Sequence, residues 1–193
     1  RYDPLPTAAP PASPAAPRAR SQARPVPTDL PQQPADDALA VEFARDVLLD
    51  PQRIHALAPE LHGGNAQRER SAARACARLA REQPALLQPI VRRLVRVVHA
   101  TEDAEIRKAL ADALPRLELG SGEAGRLAFV FESWLEDGDP ALQRIAMDAM
   151  VALVPQRPRL AKRIRSVIER RAALGSPTAA RHGMALLEKL KEF

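Results

Sequence analysis

Lys108-Ala-Leu-Ala-Asp-Ala-Leu-Pro-Arg-Leu117 is the stretch whose reading decides the fold. Its apolar side chains recur at every third or fourth position, the period of a helix with one buried face. The pattern returns in Arg70-Ser-Ala-Ala-Arg-Ala-Cys-Ala-Arg-Leu79, Arg144-Ile-Ala-Met-Asp-Ala-Met-Val-Ala-Leu153 and Arg181-His-Gly-Met-Ala-Leu-Leu-Glu-Lys-Leu190. The closing residues Leu79, Leu117, Leu153 and Leu190 stand 36 to 38 positions apart. A fixed period in this range marks stacked supersecondary units rather than one wrapped core. Each unit leaves an apolar edge that only its neighbour can cover. Ala72, Ala75, Ala109, Ala113, Ala146 and Ala149 allow close helix approach. Burying each of Leu79, Leu117 and Leu153 contributes roughly 1.5–3 kcal/mol.

Capping signals divide the remaining chain into helices. Asp36-Asp37 opens a helix over 38–49, with Leu39, Phe43 and Val47 on its apolar stripe. Asp50-Pro51 starts a short second helix carrying Ile54, Leu57 and Leu61, and Gly63-Gly64 ends it. Asn65 caps a helix to Glu82, and Pro84 opens its partner over 84–99, with Pro89 placed to kink it. Thr101 is expected to cap 102–118 and Ser121 to cap 122–137, with Pro115 bending the first of these. Asp139-Pro140 starts 140–154, Pro158 starts 158–174, and Ser176-Pro177 starts the last helix. No run alternates at period 2, so no sheet is expected.

Residues 1–35 differ in kind. They hold ten of the chain's 19 prolines and no helical period. Such a composition cannot bury enough surface to offset chain entropy, so an extended, disordered linker or tether is expected there. Pro11-Ala-Ser-Pro14, Pro14-Ala-Ala-Pro17 and Pro31-Gln-Gln-Pro34 match a loose proline-ligand spacing that arises by chance in such tails, and Arg18, Arg20 and Arg24 read as solvated charge. The ordered domain is placed at 36–193.

Paired helices, a repeat near 37 residues, and Ile106-Arg-Lys-Ala-Leu-Ala-Asp-Ala-Leu-Pro-Arg-Leu117 after the acidic turn Thr101-Glu-Asp-Ala-Glu105 resemble HEAT repeats. The resemblance covers about 66–193. It implies an all-α fold, a short right-handed α-solenoid whose second helices line a concave face that grips a protein or peptide. The hairpin at 38–61 departs from the pattern, as a degenerate repeat or as a terminal cap. Fold alone does not fix function.

The side-chain chemistry points the same way. Only 3% of residues are aromatic, too few for stacking bases, sugars or flavins. Cys76 is the single cysteine and falls on an apolar stripe, so it reads as a buried small hydrophobe. His55 and His62 with Glu60 fit no metal-ligand spacing, and Gly63-Gly64 and Gly120-Ser-Gly122 are turns rather than phosphate loops. No nucleophile motif is present, so the reading is a non-enzyme with no cofactor and no metal. A net charge of +5 permits an acidic partner or nucleic acid without requiring either. Basic residues cluster on the second helices at 84–99 and 158–174, with Glu132, Glu136 and Asp137 between them. A groove for a polyanion should not have a negative middle. A protein partner is therefore expected at Arg92, Arg96, Glu132, Glu136, Lys162, Arg163 and Arg170. Trp134 is expected to pack between repeats with Phe129 or Phe131. The alternative is a nucleic-acid-binding repeat protein using those basic helices, similar to the helical-repeat DNA glycosylases. No apolar run reaches the length of a membrane span. The cytoplasm is the expected compartment, with export or tethering left open because the chain starts at Arg1. The Ala/Arg/Pro bias is that of a GC-rich, bacterial genome.

Overall fold

The computed structural model describes residues 33–193, with side chains from Asp37 onward. The expected N-terminal arm, with its proline motifs and arginines, otherwise lies outside the described residues. Within them the protein is all-helical and contains no strand. The α-helices are α1 (Gln33–Leu49), α2 (Ile54–Glu60), α3 (Ala66–Glu82), α4 (Val91–Ala100), α5 (Ala104–Ala113), α6 (Ser121–Ser133), α7 (Pro140–Leu153), α8 (Ala161–Leu174) and α9 (Pro177–Lys189).

Four starts are the capped positions read from sequence. The Asn65 side chain accepts from Arg68 N at 3.1 Å, Asp139 from Ala141 N at 2.8 Å, and Ser176 from Ala179 N at 3.2 Å. Asp50 accepts from Gln52 N at 3.1 Å and sets the 3₁₀ turn Pro51–Arg53 ahead of α2. Each cap satisfies a first-turn N–H that has no partner inside the helix. Gly64 leaves α2 at φ 78°, a left-handed backbone that L side chains rarely adopt.

Several boundaries differ from the expectation, among them the start of α8, which follows a 3₁₀ turn Pro158–Leu160, and the end of α6, at Ser133 rather than 137. α1 begins at Gln33 rather than 38, so the ordered segment starts before 36. Pro34 is compatible because it lies in the first turn, where a missing N–H breaks no helical bond. Asp103, not Thr101, caps α5; its carboxylate accepts from both Glu105 N (2.9 Å) and Ile106 N (3.2 Å), while Thr101 Oγ1 accepts from Asp103 N. Gly120, not Ser121, is the cap of α6, and Glu123 reaches back to accept from Gly120 N at 2.8 Å. The helix expected over 84–99 is a 3₁₀ stretch, Pro84–Ile90, followed by α4. Pro84 at the first position costs no bond, but Pro89 lacks the N–H that a continuous α-helix would donate back one turn, and α-winding begins only after it. Pro115 acts in the same way, so α5 ends at Ala113 and passes into the 3₁₀ turn Leu114–Arg116.

The odd-numbered helices pack in an unbroken row, α1 on α3, α3 on α5, α5 on α7 and α7 on α9. On the other side, α2 packs on the Pro84–Ile90 turn and α4 on α6, while α6 and α8 approach less closely. Leu79, Leu117, Leu153 and Leu190 are all buried, as are Ala72, Ala75, Ala113, Ala146 and Ala149. Ala109 is half-buried. Gly183 sets the close contact of α9 with α8: a Cβ added there would lie 2.9 Å from Ala172 Cβ. Polar groups join successive units as well. Gln156 Nε2 donates to Pro115 O at 2.6 Å across 41 residues, and the Arg157 guanidinium donates to Leu119 O. Trp134 is buried edge-on against Phe131, with ring centroids 5.2 Å apart at 61°. Phe129 is not its partner and stands 61% exposed.

Candidate functional site

The row of odd helices carries a ladder of ion pairs. Arg70 Nε meets Asp103 Oδ2 at 2.8 Å, Arg74 Nη2 meets Glu105 Oε2 at 3.3 Å, and Arg81 Nη2 meets Asp112 Oδ2 at 2.6 Å. One unit further on, Arg107 Nη1 meets Asp137 Oδ2 at 3.3 Å and Lys108 Nζ meets Asp139 Oδ2 at 3.0 Å. The hydrogen bond between Lys108 and Asp139 holds the ammonium pKa above and the carboxyl pKa below their ordinary values. Burial pushes the Asp103 carboxyl up, but hydrogen bonds from Arg70, Ile106 N and Glu105 N outweigh it and leave it lowered. Arg107 also stacks over the Trp134 ring, 5.6 Å from its centroid. A cleft of about 670 Å³ opens on this row between α1, α3 and α5. Its charged walls, Asp37, Arg74, Arg81, Glu105, Lys108 and Asp112, all take part in ion pairs.

The opposite row, α4, α6 and α8, is balanced differently. Of the seven residues expected to meet a partner, Glu132 and Arg163 are brought together, with Arg163 Nη2 2.7 Å from Glu132 Oε2. Arg92 is 90% exposed and reaches Glu123 only at 3.5 Å. Arg96, Lys162 and Arg170 are exposed and have no carboxylate within 4.0 Å among the described residues. The same holds for Arg93 and Arg126. Glu136 is exposed in the 3₁₀ turn Trp134–Glu136, and Asp137 is consumed by Arg107.

Two adjoining clefts run along α6. One, of about 580 Å³, lies between α4 and the start of α6, with Arg92, Val95 and Arg96 facing Gly122, Glu123 and Arg126. The other, of about 430 Å³, is lined by His99, Gly122, Gly125, Arg126, Phe129 and Arg163. Arg92, Arg96 and Arg163 therefore line these clefts, whereas Glu136, Lys162 and Arg170 do not. Sequence reasoning missed Arg126, Phe129 and the two glycines. The signal was available in helical phase. Ala124, Leu127, Ala128 and Phe131 form the buried stripe of α6, and 122, 125, 126 and 129 form the opposite one. An aromatic ring on the outward stripe is the anomaly.

The remaining chemistry is quiet. Cys76 is fully buried, and desolvation pushes its thiol pKa up to about 12. His55 and His62 are exposed, and Glu60 is held by the Arg68 guanidinium at 2.7 and 2.8 Å, which lowers its pKa. His182 Nε2 lies 3.0 Å from Asp148 Oδ1. Among the described residues no group of three or more His, Cys, Asp or Glu is placed to share a metal ion, and no helix is long and apolar enough to cross a membrane. No protein-family model, curated protein or solved structure matches this chain.

Proposed function

We propose that the helical domain is a HEAT-like α-solenoid acting as a non-catalytic protein-interaction or scaffold module, with its partner docked on the second-helix row α4–α6–α8. The solenoid reading is supported by the leucine period, the unbroken row of odd helices and ion pairs that recur from unit to unit. The observation that carries the docking face is the meeting of unpaired cations with an exposed ring. Among the described residues, cations without a carboxylate partner occur on both rows, Arg45, Arg144 and Arg181 among them, but Arg96 and Arg126 line two adjoining clefts, one of which Phe129 borders. Long cationic side chains left in solvent around an exposed aromatic ring suit an interface, where Arg and aromatic residues dominate binding energy.

A photo-crosslinking residue at Phe129 tests this in lysate of the native cell, against the same residue at Leu49 on α1, itself 74% exposed. The expected result is one protein adduct from Phe129 only, insensitive to nuclease. Equal adducts from both positions, or none, refute the docking face. A second reading, nucleic-acid binding, draws support from one observation. Arg163 neutralises Glu132 and Arg107 neutralises Asp137, so the middle of the row is less negative than its composition. That reading requires affinity to fall steeply with salt, because phosphate contacts release counterions.

A further inference from the structure

α6 contains Gly122 in its first turn and Gly125 in its interior, and no packing contact calls for either. Glycine is among the least favourable residues in a helix interior. Three other glycines have a visible internal cause, whereas Gly138, in the bend after Asp137, has none. Gly64 has a positive φ, a Cβ on Gly175 would meet Arg171 O at 2.8 Å, and one on Gly183 would meet Ala172 Cβ at 2.9 Å. A Cβ on Gly122 or Gly125 would meet nothing within 4 Å. Both line the cleft that Phe129 closes on one side and Arg163 on another, with Arg126 between them on the same helix face. An open backbone strip, an exposed ring and the uncompensated Arg126 guanidinium thus occupy one patch, with Arg96 in the adjoining cleft.

Resting on the interaction-module reading, we propose that the docking partner is an acidic protein segment with an apolar side chain seated over Gly122 and Gly125 against Phe129. Its carboxylates lie toward Arg92, Arg96 and Arg126. Charge complementarity selects the acidic character. The single ring on an uncharged glycine floor suits one apolar side chain; a base could stack on the same ring, and the oligonucleotide probe separates the two. Glycine admits the partner's side chain to the helix backbone, which a larger residue would block.

The test uses the full chain and labelled peptides of about 14 residues, long enough to cross three helices spaced ~9 Å apart even as a helix. One peptide alternates Glu with Leu in an amphipathic pattern, one replaces Leu by Ser, one replaces Glu by Lys, and a single-stranded oligonucleotide is the fourth probe. The expected result is binding of the Glu/Leu peptide alone. Gly125→Trp should weaken it about tenfold or more, without lowering the melting temperature, and Arg126→Glu should weaken it as well. Equal binding of the Glu/Ser peptide or the oligonucleotide, or indifference to Gly125→Trp, overturns the proposal. If no peptide binds while Phe129 still crosslinks a protein, the acidic, apolar partner is wrong and the module reading stands. If that crosslink is also absent, both fall.

Discussion

Replacing Asp103 by alanine removes two interactions from one carboxylate, and the structure allows them to be separated. The side chain caps α5 through Glu105 N and Ile106 N, and it pairs with Arg70 on α3. Loss of an N-cap costs about 1 kcal/mol. The ion pair is half-exposed, with side-chain exposures of 41% and 21%, and contributes about 0.5 kcal/mol. Asp103→Ala should therefore destabilise by about 1.5 kcal/mol, a fall of about 3–6 °C in Tm for a domain of this size. Asp103→Asn keeps a capping oxygen and loses only the charge, so it should cost about 1–2 °C. Thermal denaturation followed by circular dichroism measures both. The pH dependence has a definite sign. The folded carboxyl is held below its ordinary value, so its contribution is present above the unfolded pKa of about 3.9 and is lost as pH falls through the folded value. The gap between wild type and Asp103→Asn should close in acid. If Asn costs as much as Ala at neutral pH, or the gap persists in acid, the division between cap and charge is wrong.

Leu117→Ala should cost about 2–5 kcal/mol, and Leu117→Asp should abolish cooperative unfolding; a native melting curve for the aspartate variant would disprove the stacking register. Gly125→Ala and Gly183→Ala should move stability in opposite directions, up by about 0.5–1 kcal/mol for the first and down by about 1–3 kcal/mol for the second, as read by denaturant titration. Cys76 should resist a disulfide exchange reagent in the folded protein and react once denaturant unfolds it, because its thiol is buried with a pKa pushed up to about 12.

Helices proved easier to read from sequence than the surfaces they make. Asn65, Asp139-Pro140 and Ser176-Pro177 are local signals, since each side chain closes a hydrogen bond two or three residues away. Thr101 misled because two candidate caps lie two residues apart. Asp103 accepts two first-turn N–H groups and gains Arg70 from another helix, which no local pattern shows. The clefts along α6, where docking is proposed, were half legible for the same reason. Arg92, Arg96 and Arg163 could be placed on second helices by period alone. Whether Glu132 remains a free negative charge depends on Arg163, 31 residues away, and this made the middle of the row read as more acidic than it is. Phe129 and Phe131 both read as partners for Trp134, and only helical phase on α6 separates the buried Phe131 from the exposed Phe129.

The ion pairs are distributed differently over the two sets of helices. Those linking successive units join residues 30 to 37 positions apart, on both rows. From α3 to α7 the cation comes first and the acid lies on the following unit, as in Arg70 with Asp103, Arg81 with Asp112 and Lys108 with Asp139. Half-exposed pairs of this kind contribute at most about 1 kcal/mol each, while each buried leucine contributes roughly 1.5–3 kcal/mol. The leucines therefore account for the stability of the stack, and the charges have another consequence. A unit slipped along its neighbour would set arginine against arginine, so the ladder opposes wrong registers on the odd row. The second row spends few cations in this way, keeping only the Arg92 and Arg163 pairs. Arg165 and Arg171 of α8 still tie it to Leu190 O and Gln143, but Arg93, Arg96, Arg126, Lys162 and Arg170 make no such link among the described residues, and under the proposed function they are where an acidic partner would find its attraction.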